Sequence, residues 1–130
     1  MTCLETDFLV DILRGNRLAI QLLEKLVKGG EPLAVTPVTA TELFDGAFRT
    51  GKQAEITKVD EIMSNLTLLE FDFPAARQAG ELLAALSEKG QKIGDLDTLT
   101  AAIVLRHGHV LVTKNKKHFQ KIHGLAIETW

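Results

Sequence analysis

Cysteine is nearly absent from this chain and tyrosine wholly so, and its 130 residues include one tryptophan and three prolines. With Cys3 alone there is no internal disulfide and no cysteine metal cluster, and its apolar neighbours mark it as a small core residue. Aromatic residues make up 5%, too few for a run of base-stacking platforms. Phe8, Phe44, Phe48, Phe71 and Phe73 are therefore expected to fill a core or an interface. Phe44 and Phe48 stand at i and i+4, which leaves part of one helix face for a partner. No apolar run reaches membrane-spanning length and no charged-then-apolar leader opens the chain, so the expected setting is soluble, cytoplasmic and away from membranes. Repeats, low-complexity tracts and long linkers are missing too, which points to one domain over residues 1–130, long enough to bury a real core.

Familiar catalytic signatures are also missing. There is no HExxH, no paired CxxC and no histidine pair at ligand spacing, which argues against zinc. Neither GxxxxGK[ST] nor GxGxxG occurs, which argues against a nucleotide triphosphatase or a dinucleotide enzyme. Ser64 and Ser87 lie outside any nucleophile-elbow sequence. Asp and Glu are missing from Thr98 to Ile127, where Arg106, Lys114, Lys116, Lys117 and Lys121 lie with all four histidines, His107, His109, His118 and His123. Net charge is −2, and the rest of the chain sets ten basic residues against all 17 acidic ones. One cationic face on an acidic body suits a polyanion; an ordinary solvated surface explains the same pattern.

What is present is an alternation of short apolar runs with helical periodicity. Thr2 to Glu5, Leu33 to Thr36, Leu66 to Glu70, His109 to Thr113 and Ala126 to Glu128 read as buried strands. Ala19, Leu22, Leu23 and Leu26 repeat at helical spacing, as do Ala79, Leu82, Leu83 and Leu86. Ile56, Val59 and Met63 mark another helix, and Leu99, Ala102 and Ile103 the next. Pro74 fits a first helical turn, while Gly29-Gly30, Gly90 and Gly108 sit where helices should stop. Strands separated by helices predict a three-layer α/β/α domain with a central parallel sheet of about five strands. Ligands collect at the carboxyl ends of such strands.

Four segments place polar residues at strand-to-helix transitions: Glu5-Thr6-Asp7, Thr39 to Glu42, Asp95-Leu96-Asp97, and Thr113-Lys114-Asn115. Capping explains each one singly. Asp7 would cap a helix beginning at Phe8, Thr39 and Glu42 would form a capping box, Asp95 or Asp97 would cap the next helix, and Asn115 a short turn. Taken together they would aim carboxylates at one crevice, which at neutral pH needs cations or bound protons. Mg²⁺ and Mn²⁺ favour oxygen ligands and retain waters. Two such ions suit phosphodiester hydrolysis, one making a hydroxide and the other stabilising the leaving oxygen.

The order and spacing of these motifs resemble those of the PIN-domain ribonucleases, and among them the VapC-type toxins of toxin–antitoxin pairs. The likeness rests on Leu4-Glu5-Thr6-Asp7-x-Leu9 with Leu13-Arg14-Gly15, Thr39-x-x-Glu42-Leu43, Ile93-Gly94-Asp95-x-Asp97-x-Leu99-x-Ala101-Ala102, Leu111-Val112-Thr113-x-Asn115, and His118-Phe119 with Ile122-x-Gly124-Leu125. The resemblance implies endonucleolytic cleavage of RNA dependent on Mg²⁺ or Mn²⁺. Glu42 and Asp97 match its metal-binding acids. Glu5 stands at the opening aspartate position and Asp7 where the family has asparagine or serine, so these two share the first-strand role. Asp95 is an extra carboxylate, a supporting or alternative ligand. Asn115 occupies a position that is aspartate in some relatives, and Thr113 offers a hydroxyl to a ligand or water. Lys114, Lys116, Lys117 and Lys121, with Arg14, would grip RNA phosphates. The resemblance further implies a homodimer and a VapB-type antitoxin that inserts a helix or arm into the groove. The Glu5 and Asn115 departures favour one alternative, a PIN-fold RNA-binding or partner-binding module that no longer cleaves.

Overall fold

A computed structural model describes residues 1–130. Five strands form one sheet: β1 (Thr2–Leu4), β2 (Leu33–Val35), β3 (Thr67–Leu68), β4 (Val110–Val112) and β5 (Ala126–Glu128). Their order is β3-β2-β1-β4-β5, and every pairing is parallel. Seven helices connect them: α1 (Thr6–Leu13), α2 (Arg17–Lys28), α3 (Pro37–Arg49), α4 (Gln53–Ser64), α5 (Phe73–Glu88), α6 (Asp95–His107) and α7 (Lys116–Phe119). The expected strands and helices are all present, and each strand is shorter than its apolar run except β5.

Strand alternation divides the core in two. Cys3, Ala34 and Leu111 face one side of the sheet, where Ala75, Leu86, Ala101, Ile103 and Phe119 of α5, α6 and α7 cover them. Leu4, Val35 and Val112 face the other side, covered by Phe8, Leu9, Ala19, Leu43, Ala47 and Val59 from α1 to α4. This is the predicted three-layer arrangement. Cys3 is fully buried, and burial pushes its thiol up to about 12, as fits a small inert core residue. No helix is long and apolar enough to cross a membrane.

Helix boundaries differ from the capping expectations, and the differences matter for the site. Glu5, not Asp7, caps α1: its carboxylate accepts the Asp7 backbone N–H at 2.8 Å, and the helix begins at Thr6. Thr36, not Thr39, caps α3, accepting the Thr39 N–H at 3.2 Å. Pro37 in the first turn sets that boundary, because it needs no hydrogen-bond acceptor there. Gly94, at φ 101°, precedes α6 without a side-chain cap, and Asp95 and Asp97 lie in the first turn. Asn115 takes the N-cap position of α7, as expected, but its side chain makes no capping bond. Asp7, Glu42, Asp97 and Asn115 are thus free of capping duty.

The core contacts set a stability scale. Phe8 is fully buried and meets the Trp130 ring edge-on at 4.8 Å between centroids, whereas Phe73 is 82% exposed. Phe8→Ala should lower the unfolding free energy by about 3–5 kcal/mol. Phe73→Ser should change it by less than about 0.5 kcal/mol, as expected of an exposed position. Urea denaturation of both variants beside wild type checks the contrast.

Candidate active site

The sheet register assembles the site. Leu4 pairs with Val112, so Glu5 and Thr113 leave the sheet together, and the Glu5 N–H donates to the Val112 carbonyl at 3.1 Å. Two residues on, the Asp7 carboxylate reaches back over the end of β4. Its Oδ2 accepts the Lys114 backbone N–H at 2.8 Å and the Thr113 hydroxyl at 3.2 Å. Its Oδ1 is buried and has no hydrogen-bond partner. A buried carboxylate oxygen without a donor is costly.

Glu5 is buried, and its carboxyl feels the charges of both Asp7 and Asp97. Desolvation, followed by repulsion from Asp7, raises its carboxyl to about 8, with a smaller contribution from Asp97. Glu5 therefore holds a proton at neutral pH unless a cation relieves the crowding. Asp97, half-buried in the first turn of α6, has Oδ2 3.0 Å from His118 Nδ1. The same ring nitrogen is 2.9 Å from the Asn115 side-chain amide. Glu42 is exposed on α3, and its Oε1 accepts the Thr6 hydroxyl at 2.7 Å. Thr6 is also 3.0 Å from the hydroxyl of buried Thr39.

The structure thus brings Glu5, Asp7 and Asp97 into electrostatic contact, with Glu42 beside them through Thr6 and Asn115 through His118. Asp95 is exposed and lines a groove between α5 and α6 with Leu83, Ser87 and Lys92. No group of three His, Cys, Asp or Glu side chains is close enough to share one metal ion. The donor chemistry nevertheless fits a hard divalent cation. The acids supply oxygen, the orphaned Asp7 Oδ1 lacks a positive partner, and such ions complete their shells with water. One or two carboxylates suffice for Mg²⁺ bound that way.

The cationic residues fall into two sets. Lys114 is tethered: its ammonium pairs with Asp11 and lies 5.5 Å from the centre of the Trp130 ring. Asp11 also accepts the Trp130 indole N–H at 3.1 Å, and the Lys114 hydrogen bond holds its carboxyl below the ordinary value. Lys116, Lys117 and Lys121 are exposed and make no ion pair. Arg14 lines a groove of about 290 Å³ with Thr6, Glu42, Glu55 and Lys58.

Sequence reasoning passed over Thr6, which holds Glu42, and Asp11, which holds Lys114. Thr6 lies between two singled-out acids, and its position at a strand end carried the signal. Asp11 and Lys114 are 103 positions apart, and no local pattern joins them. Asn115 and His118 stand three residues apart, and that spacing on a helical turn explains their contact.

The chain's likeness to known proteins agrees with this geometry. The PIN domain family matches residues 2–125. The chain is 27% identical over 128 residues to Ribonuclease VapC2 of Haemophilus influenzae, covering 98% of this chain and 96% of that one. It is 31% identical over 99 residues to the tRNA(fMet)-specific endonuclease VapC of Salmonella typhimurium, covering 75% of each. It superimposes on a chain in the crystal structure of VapBC2 from Rickettsia felis bound to a DNA fragment from their promoter. That match has a TM-score of 0.89 and 30% identity, covering 99% of this chain and 98% of that chain. The parallel sheet, the acids at its edge and these likenesses lead to one placement: the chain belongs to the PIN-domain family, among its VapC-type proteins.

Proposed function

We propose that this protein is an endoribonuclease that cleaves RNA phosphodiester bonds with the help of Mg²⁺ or Mn²⁺. In this reading it is the toxin of a VapBC-type pair. The observation that carries the reading is the crowding of Glu5, Asp7 and Asp97, which lifts Glu5 to about 8 and leaves Asp7 Oδ1 unpartnered. Such a site is at rest only with protons or a cation in it. Relatives named as ribonucleases and as a tRNA-specific endonuclease support RNA as the substrate. A VapBC assembly among the structural neighbours supports a VapB-type antitoxin as partner. A single domain over residues 1–130, homodimerisation and a cytoplasmic setting complete the proposal.

Asp7, Glu5, Glu42 and Asp97 would hold the ion, with Asp95 nearby on α6. When bound, a divalent ion neutralises phosphate charge and lowers the pKa of water. The residues of the chain do the rest. Thr6 fixes the Glu42 carboxylate; Lys114 N–H and the Thr113 hydroxyl fix Asp7 so that Oδ1 faces inward; His118 fixes Asp97. Asn115 orients the His118 ring or a water beside it. Lys116, Lys117 and Lys121 are free to meet RNA phosphates, Lys114 to a lesser degree because Asp11 engages it. Arg14 would extend the path along the Glu42 groove. One observation favours the alternative, a PIN-fold RNA-binding or partner-binding module without cleavage: no three acids already share the reach of a single ion.

Cleavage of a mixed tRNA and rRNA pool decides between these readings. Wild type should cut with Mn²⁺ or Mg²⁺ and stop in EDTA, and Asp97→Asn should be slower by roughly a hundredfold or more. Metal-independent RNA binding with no cleavage by wild type would establish the binding module instead.

The raised Glu5 carboxyl gives a second expectation. Its folded value of about 8 lies above its ordinary value of 4.5, so folding favours the protonated form. The stability this contributes is complete below pH 4.5 and is lost as pH rises through 8. In EDTA, the melting temperature of wild type should therefore fall from pH 5 to pH 9. Glu5→Gln should flatten that fall and be the more stable protein at pH 9, by a few kcal/mol at most. Thermal unfolding by circular dichroism across that range checks it; parallel profiles for the two proteins would show that Glu5 titrates normally.

A further inference from the structure

Lys114 is divided between two carboxylates. Asp7 and Asp11 stand at i and i+4 of α1, one turn apart on the same helix face. The Lys114 backbone N–H donates to Asp7 Oδ2 at 2.8 Å, while its ammonium pairs with Asp11 Oδ2. An ammonium on a flexible four-carbon stem can span one helical turn, so Asp7 is the other acid within its reach. Electrostatics favour that other acid. Asp7 Oδ1 is buried and has no donor, and a cation beside a desolvated carboxylate gains more than one at a wet surface. The ammonium is nevertheless turned away from it.

What turns it away is a prepared socket. The Asp11 side chain is 14% exposed, and its Oδ2 also accepts the Trp130 indole N–H at 3.1 Å. The Lys114 ammonium lies 5.5 Å from the centre of that indole ring, within the range of a cation–π contact. Trp130 is fixed in its turn by Phe8, which is fully buried and meets it edge-on at 4.8 Å. An exposed ion pair by itself holds a lysine weakly. Here a carboxylate and a ring act together, and a buried phenylalanine stands behind them. The parts come from residues 11, 114 and 130, so the socket exists only in the folded chain.

We propose that Asp11 and Trp130 form a socket that parks the Lys114 ammonium, and that an unparked Lys114 turns to Asp7 and competes with the divalent ion. Asp11 is thereby a positioning residue, acting through Lys114 rather than on the ion. The socket separates two uses of one lysine. Its backbone N–H must stay beside Asp7, because it fixes that carboxylate. Its ammonium must not, because a tethered cation meets the carboxylate at a far higher effective concentration than a dissolved ion. An ammonium there would give Asp7 Oδ1 a permanent partner and leave the ion nothing to displace but the protein's own charge. This inference rests on the nuclease reading and its ion site, and adds the residues that keep the site free.

The test is Mn²⁺ binding by the full chain, measured by calorimetry apart from RNA cleavage. Asp11→Asn removes the charge but keeps an oxygen for the indole, and should weaken Mn²⁺ binding roughly tenfold or more. Adding Lys114→Met to that variant should restore the wild-type affinity, because no ammonium remains to compete. Lys116→Met is the control for net charge: it removes the same charge from a lysine that pairs with no acid, and should leave the Asp11→Asn deficit in place. Trp130→Phe keeps a ring beside Phe8 but loses the indole N–H, and should give a smaller deficit that Lys114→Met also removes. Trp130 is the only tryptophan, so its emission reads the socket without metal and should move in Asp11→Asn. Wild-type affinity or unmoved emission in folded Asp11→Asn overturns the inference. So does a deficit that Lys114→Met fails to restore, or that Lys116→Met restores equally. RNA cleavage by wild type with no effect of Asp11→Asn on Mn²⁺ would keep the nuclease and remove the socket. Mn²⁺ binding that follows the expected pattern without RNA cleavage would keep the socket and remove the nuclease. Absence of Mn²⁺ binding by wild type would remove both.

Discussion

The contact between Asp7 and the end of β4 is the constraint on which the site depends. Asp7 follows the first strand of the chain, and Lys114 lies 107 positions later. The Lys114 N–H and the Thr113 hydroxyl both donate to one oxygen of that carboxylate. The parallel register of β1 and β4 makes the contact available: Leu4 beside Val112 brings the next residues out at one level. A slip of one residue would turn Cys3 and Leu4 to the wrong layers and carry Asp7 away from its donors. Because both layers of the core depend on that alternation, the packing that stabilises the fold also fixes the position of the acid.

The donors used to hold the acids are mostly neutral. Asp7 is held by a backbone amide and a hydroxyl, Glu42 by a hydroxyl, and Glu5 by the backbone amide it caps. The one side chain among them able to carry a positive charge is His118, against Asp97. A lysine or arginine inside the crevice would satisfy the carboxylates permanently and compete with any incoming cation. Neutral donors fix geometry without cancelling charge, so repulsion from Asp7 persists and adds to desolvation, the larger cause, in pushing Glu5 up to about 8. The nearest lysine, Lys114, contributes its backbone N–H to Asp7 but turns its ammonium to Asp11 and Trp130. The cation is thereby kept out of the crevice while its backbone serves it.

Much of this was legible in the sequence because it is periodic or local. The alternation of apolar runs and helical stripes specified five strands, the helices between them and the sheet edge where ligands gather. The acids at strand ends were visible for the same reason. The capping assignments were not, since Pro37 and Glu5 move two helix starts upstream of the residues whose spacing suggested caps. Capping rules rank residue types, and a proline one position away outweighs the ranking. Thr39 and Glu42 keep the capping-box spacing yet turn to Thr6, because a hydroxyl from the neighbouring strand end is within reach. Contacts such as Asp11 with Lys114, or Asp97 with His118, join distant segments, and only the folded topology creates them.

The last turn of helix shows how few residues separate the two halves of the site. α7 spans four residues, Lys116–Phe119, too short to be stable as an isolated helix. Its stability comes from Phe119, which is fully buried against the sheet and α6. With Phe119 pointing inward, Lys116 and Lys117 must point outward to solvent, and His118 lies half-buried between them and the core. One turn therefore presents cations to the surface and an imidazole to the acids. The division is steric: a helix of this length has one inward position, and burial of a single aromatic ring determines where every other side chain on it points.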